Sequence, residues 1–158
     1  MAGPVVVLAG GTGGAKLARG MLEVAGEDLV VIANTGDDVE IHRAYVSPDP
    51  DLVTFWLADA IDARGWGLHG DTFAVMESLR ALGEDVWFNL GDRDLALCLR
   101  RAERLAAGAR LTDAIDEVRH RHPRALGSEP PRGGRADARR AAGHERGPAL
   151  ESHRGGSV

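Results

Sequence analysis

The amino-acid sequence predicts an α/β fold built on a parallel sheet. Pro4 to Ala9 is a continuous apolar, β-branched run closed by glycines, and Leu29 to Ala33 repeats the type before Asn34-Thr35-Gly36. Between them Ala15 to Val24 carries Leu17, Ala18, Met21 and Leu22 at helical spacing. Uninterrupted apolar runs of this length read as buried parallel strands, and the order strand, glycine loop, helix, strand is the opening of such a sheet.

The remaining elements follow in order. Ile41 to Val46 reads as a further short extended piece. In Ser47-Pro48-Asp49-Pro50-Asp51, Asp49 suits an N-cap and Pro50 the first helical position, which predicts a helix over about 50 to 62. Its Leu52, Val53, Phe55, Trp56, Leu57 and Ile61 are numerous enough to bury it on more than one side. Asp71 is the expected cap of a helix that uses Phe73, Met76 and Leu79, and Val86-Trp87-Phe88 reads as a short strand before Gly91. Asp92 or Asp94 then starts a helix through Leu95, Cys98, Leu99, Ala102 and Leu105, and a last helix follows Thr112 and fails at Pro123.

Composition sets the class and divides the chain. The 158 residues are 44% hydrophobic and 27% charged, and no apolar run approaches the ~20 residues that span a bilayer, so no membrane partner is expected. Met1-Ala2-Gly3-Pro4 enters a strand-like run without the basic segment and apolar core of a secretory signal, and the expected location is cytoplasmic. Cys98 is the single cysteine, which excludes an internal disulfide and a cysteine-based metal cluster. Residues 1–119 carry a formal charge of −9 and residues 120–158 one of +4. All seven aromatics lie at or before Phe88, whereas the last 39 residues hold only Leu126, Leu150 and Val158 as large aliphatics. The expectation is therefore one α/β domain over 1–119 and a low-complexity basic tail over 120–158 that builds no core and is disordered. The 18 arginines against one lysine point to GC-rich coding, and the expected origin of a tail rich in Arg, Gly, Pro, Ala and His is a frameshift or a miscalled end. Without stacking aromatics or a helical basic stripe, the tail predicts no nucleic-acid partner.

Two groups of residues carry the chemistry. Gly10-Gly11-Thr12-Gly13-Gly14-Ala15-Lys16 lies between the first strand and its helix. There the backbone can approach a ligand closely and the free N–H groups of a helix start favour a phosphate. The alternative is a tight turn that only packs helix on sheet. The dinucleotide fingerprint fails because its third glycine falls on Lys16 and Asn34 stands where an acidic ribose ligand belongs, and the P-loop pattern fails because Ala15 and Leu17 flank Lys16. Asp37 and Asp38 follow the second strand at the same carboxyl edge of the sheet, where open α/β sheets bind ligands. Paired carboxylates beside a phosphate call for a divalent cation, with Mg2+ the fitting ion and Asp37 and Asp38 its ligands, or else one of them caps a turn. His42 is a candidate general base or metal ligand, but without a partner histidine at ligand spacing it reads rather as orienting a substrate or loop. Arg93 lies between Asp92 and Asp94, either locked by them or reaching a phosphate, and Trp66 in a glycine-rich loop either stacks on a flat heterocycle or fills the core.

The segments LAGGTGGAKLARG (8 to 20), NTGDDVEIH (34 to 42), VSPDPD (46 to 51), RGWGLHGDTF (64 to 73) and WFNLGDRDLA (87 to 96) resemble, in order and spacing, the 2-phospho-L-lactate transferase family, the CofD-like enzymes of deazaflavin coenzyme biosynthesis. The resemblance covers about residues 5 to 119. It implies a Rossmann-like open sheet and a Mg2+-dependent transfer. A phospholactyl or phosphoenolpyruvyl group would move from a guanosine diphosphate-linked donor to the ribityl hydroxyl of the deazaflavin Fo, with release of GMP. It also implies that Gly10 to Gly14 cradle donor phosphate, that Asp37 or Asp38 holds the metal, and that Asp51 and Asn89 match acceptor-binding positions. Pro50 stands where members more often have Leu. Members continue after the Thr112 helix into another strand and an acidic segment, whereas this sequence continues as His120-Arg121-His122-Pro123, so the expected product is an inactive N-terminal half-site. An open sheet edge and uncovered apolar surface then predict aggregation or a homodimer. The competing reading is a regulatory nucleotide-sugar-binding protein that resembles the gluconeogenesis factors, which share the glycine loop.

Overall fold

Two apolar runs and one amphipathic stretch fold as the sequence predicts, in a computed structural model that describes residues 3–121. Strands β1 (Val5–Ala9) and β2 (Leu29–Ala33) pair in parallel, Val5 opposite Leu29 and Ala9 opposite Ala33. They are joined by α1 (Gly11–Ala25) and a 3-10 turn over Gly26–Asp28. Side chains alternate across a strand, so Val7 and Ala9 are buried on the helix side. Val6, Leu8, Val30 and Ile32 face the other way and are exposed, Leu8 by 75%. The expected burial of both faces is thus met on one face only, because no described element lies over the second.

Helix α1 begins at Gly11 rather than Ala15, so the glycine segment is its first turn with Gly10 as N-cap. Close packing explains why Gly14 belongs in this turn. A Cβ there would lie 2.6 Å from the Ala9 Cα, closer than any side-chain carbon can sit to a backbone. Residues 41–46 are not one extended piece but most of a hairpin, β3 (Val39–Ile41) and β4 (Ala44–Val46), paired antiparallel. His42 and Arg43 turn the chain between them, both with positive φ, 49° and 66°, the geometry of a two-residue hairpin turn.

Helix α2 (Pro48–Leu57) starts two residues before the expected position, with Ser47 as N-cap and Pro48 at its head. It stops short of residue 62 because Asp59 enters the left-handed region (φ 53°) and the Ala60 N–H turns back to the Phe55 carbonyl. A bridge between Ile61 and Leu68 then closes the loop that carries Trp66. Helices α3 (Ala74–Ala81), α4 (Asp92–Ala106) and α5 (Leu111–Arg121) complete the described chain. The segment Val86-Trp87-Phe88 is not a strand. It alternates like one, with Val86 and Phe88 packed on the core and Trp87 exposed, but no described strand lies beside it to complete a ladder. Leu99 is exposed, and Leu97 takes the buried place expected of it.

The caps of α3 and α4 are exchanged. Asp92 accepts the N–H groups of Ala74 and Val75 at 3.1 and 3.0 Å, and so caps α3. Asp71 accepts those of Arg93 and Asp94 at 3.0 and 3.1 Å, and so caps α4. The sequence places Asp71 as the cap of α3 and Asp92 or Asp94 as the start of α4, and the structure reverses the roles of Asp71 and Asp92. The Asp71 carboxylate also requires Gly91, since a Cβ there would meet its Oδ2 at 2.2 Å.

The main core joins Ile41, Ala44 and Val46 of the hairpin to Met76, Leu90, Leu95 and Cys98. Ala9, Ala15 and Val53 form a second contact where β1, α1 and α2 meet. Among the described residues no helix is long and apolar enough to cross a membrane. The expectations for the tail fall from residue 122 onward outside the described residues.

Candidate active site

The carboxyl ends of β1 and β2 and the start of α2 converge on one side chain, Asp49. Pro48 and Pro50 hold it rigidly in the first turn of α2, where it is buried. Its carboxylate does not cap that helix. Oδ1 accepts the Gly11 N–H at 2.7 Å and Oδ2 accepts the Asn34 amide at 3.1 Å. The same Asn34 Nδ2 donates to Asp37 at 3.1 Å, while its Oδ1 accepts the Gly36 N–H at 3.0 Å, which fixes the orientation of the amide. A continuous chain Gly11, Asp49, Asn34, Asp37 therefore ties the start of α1 to the acidic turn after β2. Gly10 to Gly14 and Asp37-Asp38 share one edge.

Asp38 is held separately, accepting the Ser47 hydroxyl at 2.7 Å and the Tyr45 hydroxyl at 3.0 Å. Burial, and then the hydrogen bond to Asp38, raise the Tyr45 phenol above its ordinary pKa, so it stays a donor. Asp37 is exposed and is the most accessible carboxylate of the group. The N–H groups of Thr12 and Gly13, in the first turn of α1, have no acceptor within the helix. The carboxylate oxygens of Asp37 and Asp38, near this helix start, are hard donors, the kind Mg2+ takes.

The other predicted residues are placed elsewhere. The Lys16 ammonium lies over the Trp56 ring, 5.5 Å from its centroid, in the contact between α1 and α2. His42 sits at the turn of the hairpin, at the opposite end of the ladder from Asp38 and Ser47. Trp66 carries the Arg64 guanidinium 4.4 Å above its ring, with Phe73 beside it, and this stack fastens its own loop. Arg93 is locked, though not by its neighbours Asp92 and Asp94: its guanidinium donates to the His69 carbonyl and lies 3.6 Å from Asp71. Asn89 accepts from Arg80 at 2.9 Å.

Asp51 is buried against Arg101, which donates to both of its oxygens. Burial pushes the Asp51 carboxyl up and the guanidinium opposes it. Burial and the repulsion from Asp51 push the neighbouring Asp94 up to about 7. Asp51, Asp94 and Cys98 bring their ligand atoms within 4.8 Å of one another. Arg101 already supplies the cation there, and burial raises the Cys98 thiol pKa and keeps it protonated, so this grouping is an ion pair in the core.

Sequence reasoning missed Asp49, Asn34 and Arg101. The flanking prolines made Asp49 look like a cap, whereas Arg101 announces itself by standing three and four residues after Cys98 and Leu97 on the buried stripe of α4.

The family model for 2-phospho-L-lactate transferase CofD matches residues 5–123. The chain belongs to this family. A 2-phospho-L-lactate transferase of Methanococcus maripaludis is 40% identical over 118 residues, which are 73% of this chain and 38% of the relative. A phosphoenolpyruvate transferase of Streptomyces griseus is 45% identical over 117 residues, 72% of this chain and 36% of the relative. A 2-phospho-L-lactate transferase of Methanocaldococcus jannaschii is 42% identical over 114 residues, 71% and 37%. The chain thus spans less than two fifths of the length of these CofD-family relatives, and its glycine turn, Asn34, Asp37, Asp38 and Asp49 all lie within the matched region.

Proposed function

We propose that the chain carries the donor and cation side of a site that transfers a phospholactyl or phosphoenolpyruvyl group from a guanosine diphosphate-linked donor to the deazaflavin Fo, releasing GMP. The observation that supports this reading is the hydrogen-bond chain from Gly11 through Asp49 and Asn34 to Asp37, which puts the amides of a helix start and carboxylates at one edge. The donor phosphates meet the N–H groups of Thr12 and Gly13 at the start of α1. Asp38, oriented by two hydroxyls, and Asp37 hold Mg2+, which when bound neutralises the charge of the diphosphate. The acceptor hydroxyl oxygen attacks the phosphorus that bears the three-carbon acid, the bond from that phosphorus to the GMP phosphate oxygen breaks, and GMP leaves with the electron pair. The hydroxyl proton is released to water. Such a transfer rests on positioning and charge neutralisation. Asn89 and Asp51, which the resemblance matches to acceptor-binding positions, are engaged here by Arg80 and Arg101.

The 158-residue chain is expected to bind without turning over, because the described part matches only the segment shared with its longer relatives. Calorimetric titration with GDP and Mg2+ tests the binding: affinity should depend on the cation and fall in Asp37→Asn. Binding of GDP that ignores both would remove the cation from the site. Incubation with donor, Fo and Mg2+ should give no product, and clear turnover would refute the half-site.

A further inference from the structure

Arg101 is a buried charge placed on the apolar stripe of α4. Its Nη1 donates to the Tyr45 carbonyl and to Asp51 Oδ2, both at 3.0 Å, and its Nη2 donates to Asp51 Oδ1. Asp51 keeps a turn of its own, since its N–H donates to the Ser47 carbonyl at 3.0 Å. One guanidinium therefore pins both ends of the stretch from Tyr45 to Asp51. Between and at those ends stand the Tyr45 and Ser47 hydroxyls that hold Asp38, and Asp49, which accepts from Gly11 and Asn34. Arg101 is hydrogen-bonded to none of Asp38, Gly11 and Asn34. Apolar replacements of a buried ion pair are often neutral or stabilising, so fold stability alone does not account for the pair.

We propose that Arg101 is a positioning residue, holding the segment from Tyr45 to Asp51 so that Asp49 and Asp38 are presented to the start of α1 and to a divalent cation. The cation rests on the function proposed above, whereas the aim of Asp49 does not. The geometry predicts that loss of the fork is felt at the Gly11 amide, on a different element and without contact to Arg101.

The test uses the full chain, as Arg101→Lys, which keeps the charge and loses the planar fork, and as Asp51→Leu/Arg101→Met, which removes the pair together. Thermal unfolding monitors the fold of both. In each, the Gly11 amide proton should move upfield and exchange about tenfold faster, as its bond to Asp49 weakens. Mn2+, used as the probe, should bind about tenfold or more weakly. A folded double variant with the Gly11 resonance and exchange of the parent overturns the proposal. A double variant that does not fold makes Arg101 an anchor of the fold and overturns it equally. If the parent chain binds no Mn2+, the proposed function fails, and the Gly11 amide still decides the role of Arg101.

Discussion

Two glycines of the same helix, Gly14 and Gly20, should respond to alanine with opposite signs. At Gly14 the added Cβ would stand 2.6 Å from the Ala9 Cα and 3.0 Å from the Ala9 carbonyl carbon and Cβ. Carbon atoms pack best at about 3.5–4.0 Å, so α1 would have to move off β1 by roughly an ångström along a contact that cannot yield by rotating a side chain. Overpacking of this kind costs about 1–3 kcal/mol, partly offset by the better helix propensity of alanine, about 1 kcal/mol. The expected net change for Gly14→Ala is a loss of about 0–2 kcal/mol. At Gly20 nothing lies within 4 Å of the added carbon, so only propensity acts and Gly20→Ala should gain about 0.5–1 kcal/mol. Urea unfolding followed by tryptophan fluorescence reads both, because Trp56 lies where α2 meets α1 beside Lys16. A Gly14→Ala chain as stable as Gly20→Ala would refute the claim that the glycine turn is shaped by contact with Ala9.

Asp92→Ala should destabilise by about 1 kcal/mol and speed amide exchange at the start of α3, not of α4, which carries the substitution. Asp71→Ala should do the converse at Arg93 and Asp94. Asp94, with a pKa of about 7 in the folded chain against an ordinary 3.8, keeps its proton where the unfolded chain has lost it. Its contribution to stability is therefore present below about pH 4 and is lost as pH rises to 7. Asp94→Asn should flatten that decline in urea titrations and, at pH 8, stabilise the chain by on the order of 2 kcal/mol.

Much of the architecture was legible because it is local. The β-branched runs of β1 and β2, the spacing in α1 and the stop of the chain at glycines each follow from neighbours in sequence. The shared edge of Gly10 to Gly14 and Asp37-Asp38 was legible for a related reason, since parallel strands must present their carboxyl ends together. What escaped depends on partners distant in sequence. Asp71 and Asp92 stand at good capping positions, and nothing nearby shows that each serves the other's helix. Val86 to Phe88 has the alternation of a strand and no described neighbour to pair with. Lys16, Trp66 and Arg93 have the side chains a ligand would want, but their attachments to Trp56, Arg64 and His69 arise only on folding. Asp49 is hidden by its prolines, which by themselves satisfy the reading of a helix start.

The swapped aspartates make two helices a single cooperative unit. Neither can satisfy its opening amides from its own turn, so an excursion that frays one strips the other of its acceptor and the pair should melt as a unit. Residues 71 to 94 then respond together to heat, denaturant or substitution, and the loop bearing Trp66, tied in through His69 and Asp71, inherits its order from that shared joint.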